Sequence, residues 1–241
     1  MTDVEEPTTL GRVACIGRFP VKSLVGEALV SAMVDRRGLV GDRLWAVRDV
    51  DGKFGSGKST RRFRRMPGLL HLTARYDHDL TPMVSFPGGR SISADHPEMH
   101  DALSAHVGRP VTLAQEADVS HFDEGALHLV TSTSVARLSQ LHGVSVDPRR
   151  LRANLVIDTG GDPRFDEADW IGRDLTIGED IVARVRKPMI RCIMVDLPQV
   201  DLPADGHLLD TIGRVNDAKL GLVVDVVSPG ALRLGDTVRA C

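Results

Sequence analysis

The chain has 241 residues, of which 42% are hydrophobic and 26% are charged, as in an ordinary soluble globular protein. Its net charge of −3 argues against a general nucleic-acid binder, although local basic patches are compatible with it. The acidic N-terminus does not resemble a signal peptide, and no stretch approaches the ~18 consecutive apolar residues of a membrane helix. Three scattered cysteines do not make a disulfide framework, so we expect a cytoplasmic protein that does not bind membranes.

The first half of the chain is rich in short apolar runs that end in turn residues. Between Arg12 and Phe86 such runs alternate with Gly, Pro and Asp-Gly turns, which is typical of short strands in tight hairpins. From 97 to 107 the period becomes helical, and Asp95 is placed to cap that helix. A polar stretch, 116–125, indicates a connection between two halves.

The second half combines further strands with short helices. Apolar residues at helical spacing predict a helix from Val135 to Leu141, ended by Gly143, and a short helix is predicted over 208–215. The predicted strands and hairpins cover 126–130, 151–158, 174–185, 219–227 and 231–239. So many short, turn-linked strands favour a mainly β, barrel-like fold with a few short helices.

One segment, Gly52 to Ser59 (G-K-F-G-S-G-K-S), satisfies the phosphate-binding P-loop pattern in full. That motif requires a buried strand before the loop and a substantial helix after it. Here four arginines and Pro67 follow, which leaves room for at most two helical turns without an apolar stripe. We interpret the segment as a Gly-rich hairpin loop with a basic flank. A phosphate-binding protein that uses Lys58 and Ser59 stays open as an alternative.

A single thiol, Cys192, lies in the stretch A-R-V-R-K-P-M-I-R-C-I-M-V-D. The pattern predicts a strand that stops at the turn Lys187-Pro188, followed by an apolar run that carries the thiol. A thiolate is both the reactive form of cysteine and a soft metal ligand, and nearby cations such as Arg191 favour it. A lone cysteine in an apolar run is, however, more often a buried small hydrophobe.

Two clusters in the first half are suited to holding an anion. Lys22 and Ser23 lie together in a predicted turn, where an ammonium and a hydroxyl can both donate to a phosphate. Arg43 begins a predicted strand, and its guanidinium could add a bidentate grip. Each feature alone is commonplace, since a surface lysine or a solvated arginine has the same appearance in a sequence.

Two clusters in the second half have the same character. In the predicted strand 151–158, the period of two places Arg152 and Asn154 on one face. Thr131 and Ser132 bring hydroxyls and free N–H groups to the start of a predicted helix, which is a natural seat for an anion. Here too a structural cap or a solvated side chain is the simpler interpretation of each group alone.

Taken in order, these pieces resemble the MOSC family, named for the C-terminal domain of molybdenum cofactor sulfurase. F-P-V-K-S, G-L-V-G-D-R-L-W and D-G-K-F are similar to the β-barrel domain that often precedes MOSC, and R-A-N, F-D-E-A-D-W-I-G, L-T-I-G and R-C resemble MOSC itself. The resemblance covers roughly Gly11 to Val238. It implies a mainly β (α+β) fold in which an N-terminal β-barrel domain, 11–115, packs on a MOSC β-barrel, 116–241, with a few short helices.

The amidoxime-reducing branch of that family is the most similar in function, and it implies a molybdenum-cofactor oxidoreductase that reduces N-hydroxylated small molecules. In that branch the cysteine of the R-C pair ligates molybdenum, which maps onto Cys192 as the metal-binding and catalytic residue. Cys15 and Cys241 are not expected to take part. The residues that the resemblance assigns to binding Mo-molybdopterin are Lys22, Ser23, Arg43, Thr131, Ser132, Arg152, Asn154, Arg191 and Cys192.

Other functions stay open beside this one. Cys192 could carry a persulfide in a sulfur-carrier or cofactor-handling module. A reductase would need a separate electron-transfer protein, because three cysteines cannot hold a [2Fe–2S] cluster and no Gly-x-Gly-x-x-Gly fingerprint for a nicotinamide is present. The segment G-S-G-K-S-T-R-R-F-R-R, 55–65, is longer and more basic than the matching loop of eukaryotic members. We expect the basic segment Lys53–Arg65 to offer a landing surface for an acidic donor.

Overall fold

The computed structural model describes residues 8–240; residues 1–7 and Cys241, named above, lie outside the described residues. Strands hold 40% of the chain and helices 18%, which confirms the mainly β class. In chain order the strands are β1 (Thr8–Arg18), β2 (Val21–Lys22), β3 (Glu27–Leu29), β4 (Ser31–Asp35), β5 (Gly38–Leu39), β6 (Trp45–Asp49), β7 (Phe54–Ser56), β8 (Phe63–Arg65), β9 (Thr73–Tyr76), β10 (Pro82–Ser85), β11 (Ser91–Ser93), β12 (Val111–Gln115), β13 (Leu127–Thr131), β14 (Leu155–Asp158), β15 (Asp174–Ile177), β16 (Ile181–Ile190), β17 (Lys219–Ser228), β18 (Gly230–Arg233) and β19 (Thr237–Ala240).

The helices are short and lie between these strands. The α-helices are α1 (Met99–Val107), α2 (Ser132–His142) and α3 (Leu208–Asn216), and single 3₁₀ turns cover Leu69–His71, Pro148–Leu151, Glu167–Trp170 and Ile193–Val195. Gly143 ends α2 in the left-handed conformation, as predicted. The predicted cap of α1 is wrong, because Asp95 accepts a hydrogen bond from the Ser93 hydroxyl and the helix begins only after Glu98. Within residues 8–240, no helix is long and apolar enough to cross a membrane.

A closed barrel dominates the second half of the chain. Its strand order is β14-β13-β17-β16-β15-β19-β1, and β1 also pairs with β14, which closes the ring, while β3 extends it from β1. The first part of β1 lies along β19 and its second part along β14, with bulges at Thr9–Gly11 and Val13–Cys15 that let one strand serve both neighbours. All pairs in the ring are antiparallel except β13 with β14.

The barrel core therefore contains residues from both ends of the chain. Val13 and Ile16 of β1 are 1% and 0% exposed, and they share one hydrophobic cluster with Leu129, Leu222 and Val238. Val13 and Ile16 are three positions apart, and the bulge at Val13–Cys15 lets both side chains point into the barrel while Cys15 is exposed. The first strand of the chain thus belongs structurally to the barrel formed by the second half.

Much of the rest of the first half packs around its own core, whereas Val34 of β4 and Leu39 of β5 belong to the barrel core. β12, β6, β7 and β8 form one sheet with β2 attached to β6, and β9, β10 and β11 form a meander. A third small sheet joins β18 to β4 and β5. Val21, Leu24, Val47, Met99 and Leu103 fill the space between these sheets and α1. The loops that connect β1 to β2, β5 to β6 and β7 to β8 face the barrel.

Strand β16 differs from the sequence prediction. The predicted stop at Lys187-Pro188 is wrong, because β16 continues to Ile190 with register shifts against β17 on either side of the proline. A bulge accommodates proline since the missing N–H is not needed there. Cys192 lies beyond the strand, in an extended conformation that leads into the 3₁₀ turn Ile193–Val195.

Candidate functional site

A polar pocket of about 200 Å³ lies between the loops of the first half and the barrel. It brings together seven of the nine predicted cofactor-binding residues, from positions that are far apart in sequence. These residues are Lys22, Ser23, Arg43, Arg152, Asn154, Arg191 and Cys192. We call this the polar pocket.

The polar pocket is strongly positive. Its cations are Lys22, Arg43, Lys58, Arg150, Arg152 and Arg191. Two acids, Asp123 and Glu124, also line it, and Arg43 forms an ion pair with the fully buried Asp42. Cations held this close repel one another, so the arrangement favours an anionic ligand.

Two arginines flank one aromatic ring at the pocket wall. The guanidinium carbons of Arg43 and Arg152 lie 4.6 Å and 4.4 Å from the centroid of the Phe19 ring. Both residues are left-handed, with φ of 49° and 51°, a conformation that side-chain-bearing residues seldom adopt. The predicted strand positions of both are therefore wrong: β6 begins only at Trp45 and β14 only at Leu155. Their guanidinium groups converge because of these turns and not because of a strand period.

A buried histidine supports one of these turns. His128 is 5% exposed; Arg191 Nη1 lies 3.1 Å from its Nε2, and its Nδ1 lies 3.4 Å from the Arg152 carbonyl oxygen. An arginine can only donate, so Nε2 must be the acceptor and Nδ1 must carry the proton. Burial lowers the pKa of His128 well below its ordinary value, and Arg191 and Arg43 add to the effect. The imidazole ring fits here because residue 221 is a glycine: a Cβ at that position would lie 2.6 Å from His128 Nε2.

A second histidine repeats this arrangement at the other turn. His121 is fully buried; Arg48 Nη2 lies 2.9 Å from its Nε2, and its Nδ1 lies 3.1 Å from the Arg43 carbonyl oxygen. The same donor argument gives a neutral ring with the proton on Nδ1. Burial lowers the pKa of His121 to about 4. The carbonyl of each left-handed arginine is thus held by a neutral histidine. A second arginine, Arg191 or Arg48, fixes the orientation of that histidine.

Buried N–H groups in the polar pocket lack partners. Arg152 Nη1 and Arg191 Nε are both buried and form no hydrogen bond. Burial lowers the pKa of Arg152 to about 9, with a further contribution from Arg43, and burial lowers the pKa of Arg191 to about 10. Unpaired buried donors are costly, and a bound anion would satisfy them and restore the pKa values. This is the most direct sign of a ligand site in the structure.

Lys22 holds the side of the pocket opposite the barrel. It is 5% exposed and donates to the His121 carbonyl at 2.7 Å and to Asp123 at 2.5 Å. Burial lowers the pKa of Lys22 to about 8, although Asp123 opposes the shift. Asp123 therefore occupies a position on Lys22 that an incoming anion would share or take over.

Ser23 and Asn154 shape the pocket wall. The Ser23 hydroxyl donates to the Gly55 carbonyl at 2.9 Å. Asn154 donates to the Gly17 carbonyl at 3.1 Å and accepts from the His128 N–H at 3.0 Å, which ties β1 to β13. Because their polar atoms are engaged by the backbone, both residues position the site and offer few free donors to a ligand.

The loop that carries Cys192 is braced by a buried arginine. Arg150, 6% exposed, donates to the carbonyls of Val195 at 3.3 Å, Leu197 at 3.4 Å and Pro203 at 2.5 Å. Cys192 is partly exposed at the pocket surface, so its thiol is accessible to a ligand. The structural interpretation of Cys192 as a fully buried small hydrophobe does not hold.

Comparison with known families shows which family the chain belongs to. The family model described as MOSC domain matches residues 105–239, more than half of the chain. The chain belongs to the MOSC family. A second model, the MOSC N-terminal beta barrel domain, matches residues 10–129. The predicted family is confirmed, whereas the boundary between 11–115 and 116–241 stays a prediction because the two matches overlap.

Of the solved structures that resemble this chain, one shows the same fold over nearly its whole length. The YUAD protein from Bacillus subtilis superposes with a TM-score of 0.54 at 14% identity, over 98% of this chain and 97% of that one. YiiM from Geobacillus stearothermophilus gives 0.38 at 16% identity over 48% of this chain and 54% of that one, and YiiM from Escherichia coli gives 0.35 at 17% over 49% and 55%. No curated protein matches the chain.

Two of the predicted site residues lie elsewhere in this MOSC protein. Thr131 is buried at the start of α2, where its N–H donates to Glu167 at 3.0 Å and its hydroxyl donates to Asp166 at 3.0 Å. The Ser132 hydroxyl donates to Asp158 at 3.0 Å. The anion seat predicted at this helix start is therefore filled by carboxylates of the chain itself. Neither residue lines the polar pocket.

The segment that satisfies the P-loop pattern, Gly52 to Ser59, does not have the structure of a nucleotide-binding P-loop. After Ser59 the chain turns into strand β8, so the helix on which the motif depends is missing from this part of the described structure. Lys58 nevertheless lines the polar pocket, with its ammonium 5.0 Å from the centroid of the Phe63 ring. Lys58 thus belongs with the cations of the polar pocket.

The basic segment Lys53–Arg65 is less available than its composition indicates. Arg64 is paired with Asp49 and Asp51 at 2.7 Å each. Arg62 packs over the rings of Phe54 and Phe63. Arg61 and Arg65 are the exposed arginines of the segment.

Sequence reasoning missed the histidines and Arg150. Dispersed histidines in a sequence are usually surface or packing residues, yet His121 and His128 each hold the carbonyl of a pocket arginine. A signal exists for His128, which stands between leucines in a strand with five buried residues. No local signal marks His121 or Arg150, because their partners are more than forty positions away.

Proposed function

We propose that this MOSC protein binds a molybdenum cofactor in the polar pocket and reduces N-hydroxylated small molecules. One observation carries the proposal: the pocket that exposes Cys192 also contains the unpaired, buried guanidinium N–H groups of Arg152 and Arg191. A phosphorylated pterin needs cations and N–H donors at one end and a soft ligand at its metal. Both kinds of group are present within one pocket.

Four cations and one thiol of the polar pocket would hold the cofactor. Arg43, Arg152, Arg191 and Lys22 would hold the anionic end of the cofactor, and the Cys192 thiolate would ligate the metal. When bound, the cofactor would supply the two-electron chemistry by which an N–OH group, two electrons and two protons give N–H and water. The protein binds and orients the cofactor and tunes it through the thiolate.

Electrons would come from a separate donor protein. The 241-residue sequence has three cysteines, fewer than the four that a [2Fe–2S] cluster requires, and lacks a dinucleotide fingerprint. An acidic donor would find two exposed arginines near the pocket, Arg61 in the loop before β8 and Arg65 at the end of β8. Turnover should therefore need added donor or a chemical reductant, and it should fall as salt screens the encounter.

Elemental analysis of protein from a molybdenum-replete host tests the proposal. Wild-type protein should contain molybdenum, Cys192→Ser should lose it while keeping its fold, and Cys15→Ser, a change of the exposed β1 thiol, should keep it. Wild-type protein without molybdenum would contradict the proposal. Metal-free protein with cyanide-releasable sulfur that disappears in Cys192→Ser would favour the sulfur-carrier function.

A further inference from the structure

A second cavity adjoins the polar pocket. It measures about 230 Å³ and is lined mainly by apolar side chains. Those side chains are Met66, Leu69, Leu70, Met194, Leu197 and Pro198. Ser23 and Met194 line both this apolar cavity and the polar pocket, so these two side chains form part of the wall between the two spaces.

The glycine-rich segment is the partition between the two spaces. Ser56 and Lys58 line the polar pocket, whereas Gly57 between them lines the apolar cavity. A Cβ on Gly57 would lie 2.3 Å from Leu197 Cδ1 and 2.7 Å from Met194 Sδ. The Gly57 N–H also points to Met194 Sδ at 3.2 Å. The absence of a side chain at 57 thus lets the partition pack directly on the loop that follows Cys192.

The rim of the apolar cavity is basic. Arg65 and His71 line it, both are exposed, and no carboxylate lines it among the described residues. The backbone N–H of Arg65 donates to the Ser59 hydroxyl at 3.1 Å, which places this arginine independently of its side chain. An occupant with a negative substituent is therefore favoured over one with a positive substituent.

We propose that the apolar cavity receives the body of the substrate: a single ring that carries an anionic substituent. A dry cavity of about 150 Å³ lined by aliphatic side chains is enough to hold benzene, so a substituted ring suits this volume. Met194 separates the ring from the space around Cys192, and the reacting group of the substrate extends past it. This inference rests on the proposed function, because it assigns the specificity of that same site.

Binding of two ring compounds to the full-length protein tests the charge preference. Ligand-observed NMR with benzoate and benzamidine compares one ring with opposite charges. Benzoate should bind about fivefold more tightly than benzamidine, as expected for one exposed charge contact. Arg65→Glu should reverse the order, whereas Arg61→Glu, the same change on an exposed arginine of the loop that precedes β8, should leave it unchanged. Equal effects of the two variants would overturn the charge assignment.

Filling the cavity tests its location. Leu197→Phe adds volume on the cavity wall and should weaken benzoate binding by about tenfold. Leu141→Phe, a partly exposed leucine of α2 outside the cavity, should leave binding unchanged. Benzoate that still binds to Leu197→Phe and is displaced by inorganic phosphate would lie in the polar pocket, which would overturn the inference.

The two proposals fail separately. Benzoate binding requires no metal, and molybdenum content requires no benzoate site. Protein that retains molybdenum but does not bind benzoate contradicts only the cavity assignment. Protein that binds benzoate in the cavity but lacks molybdenum retains the cavity as a ring-binding site and contradicts its use in the proposed reaction.

Discussion

At the scale of single residues, two neutral histidines hold the backbone of the site. His121 and His128 each have an arginine at Nε2 and a carbonyl of a left-handed arginine at Nδ1. Only the neutral ring with its proton on Nδ1 satisfies both neighbours. In a doubly protonated ring, the N–H at Nε2 would face the N–H of the arginine, and neither group could accept. The polar pocket should therefore be sensitive to mild acid.

The stability of the protein should fall between pH 7 and pH 5. The folded state holds His121 at a pKa of about 4, below the ordinary value of 6.5, so the unfolded chain binds the proton first. The contribution of neutral His121 to the free energy of unfolding is fully present above about pH 6.5 and is lost as the pH falls toward 4. At pH 5 the loss from this residue is about 2 kcal/mol. Urea unfolding at the two pH values measures it.

A variant separates this histidine from the others. His121→Gln should reduce the loss of unfolding free energy between pH 7 and pH 5, because the titrating group is gone. His78→Gln, which changes an exposed histidine, should keep the full loss. If the two variants show the same pH dependence, His121 does not carry the effect.

The identities of the pocket residues were largely predictable, and their conformations were not. Motifs in order led to seven residues that do line the pocket. The period of two at 151–158 failed because Arg152 is left-handed, with its N–H on the Arg149 carbonyl and its own carbonyl near His128. Contacts that span long stretches of chain select this conformation, and no local pattern encodes them. The same holds for the anion site predicted at Thr131, because the carboxylates that occupy it, Asp166 and Glu167, lie 35 and 36 positions later in the sequence.

At the scale of elements, Arg150 joins two 3₁₀ turns across the pocket. It lies in the turn Pro148–Leu151 and reaches carbonyls at and beyond the turn Ile193–Val195. The segment 193–203 has little regular structure of its own, so these charge-assisted bonds are its main polar anchor to the barrel side. The position of Cys192 depends on this anchor.

Removing the anchor should loosen the cysteine loop. Arg150→Ala leaves three carbonyls without their partner and should lower the unfolding free energy by about 2–4 kcal/mol. The adjacent Arg149 is exposed and pairs with Asp147 in its own turn, so Arg149→Ala should cost less than about 0.5 kcal/mol. Urea unfolding and hydrogen exchange of residues 193–203 measure the two effects. Similar losses in both variants would show that the carbonyl contacts do not anchor the loop.

At the scale of the whole molecule, β1 makes the two halves inseparable. It supplies Val13 and Ile16 to the barrel core and covers the edges of both β14 and β19. Without β1 the ring opens, and two strand edges and part of the core are exposed. A boundary drawn at 115 and 116 therefore cuts the barrel away from one of its own strands.

A fragment of residues 116–241 should not fold alone. Circular dichroism should show no cooperative melting, in contrast to the full chain, because the ring cannot close. Addition of a synthetic peptide of residues 8–18 should restore part of the strand signal by filling the gap. A cooperative transition of the fragment without the peptide would show that β1 is dispensable.

The closed ring also sets the order of events in the cell. Thr8 pairs with Ala240 and Arg12 with Asp158, so during translation β1 cannot pair fully until strands more than a hundred residues later in the chain have been made. Pairing over such separations carries a large loop-closure entropy, which places folding among the slow, non-local cases. The apolar face of β1 stays unprotected until β14 and β19 have been made, a period in which nascent chains aggregate. We expect the nascent protein to depend on chaperones until these two strands have left the ribosome.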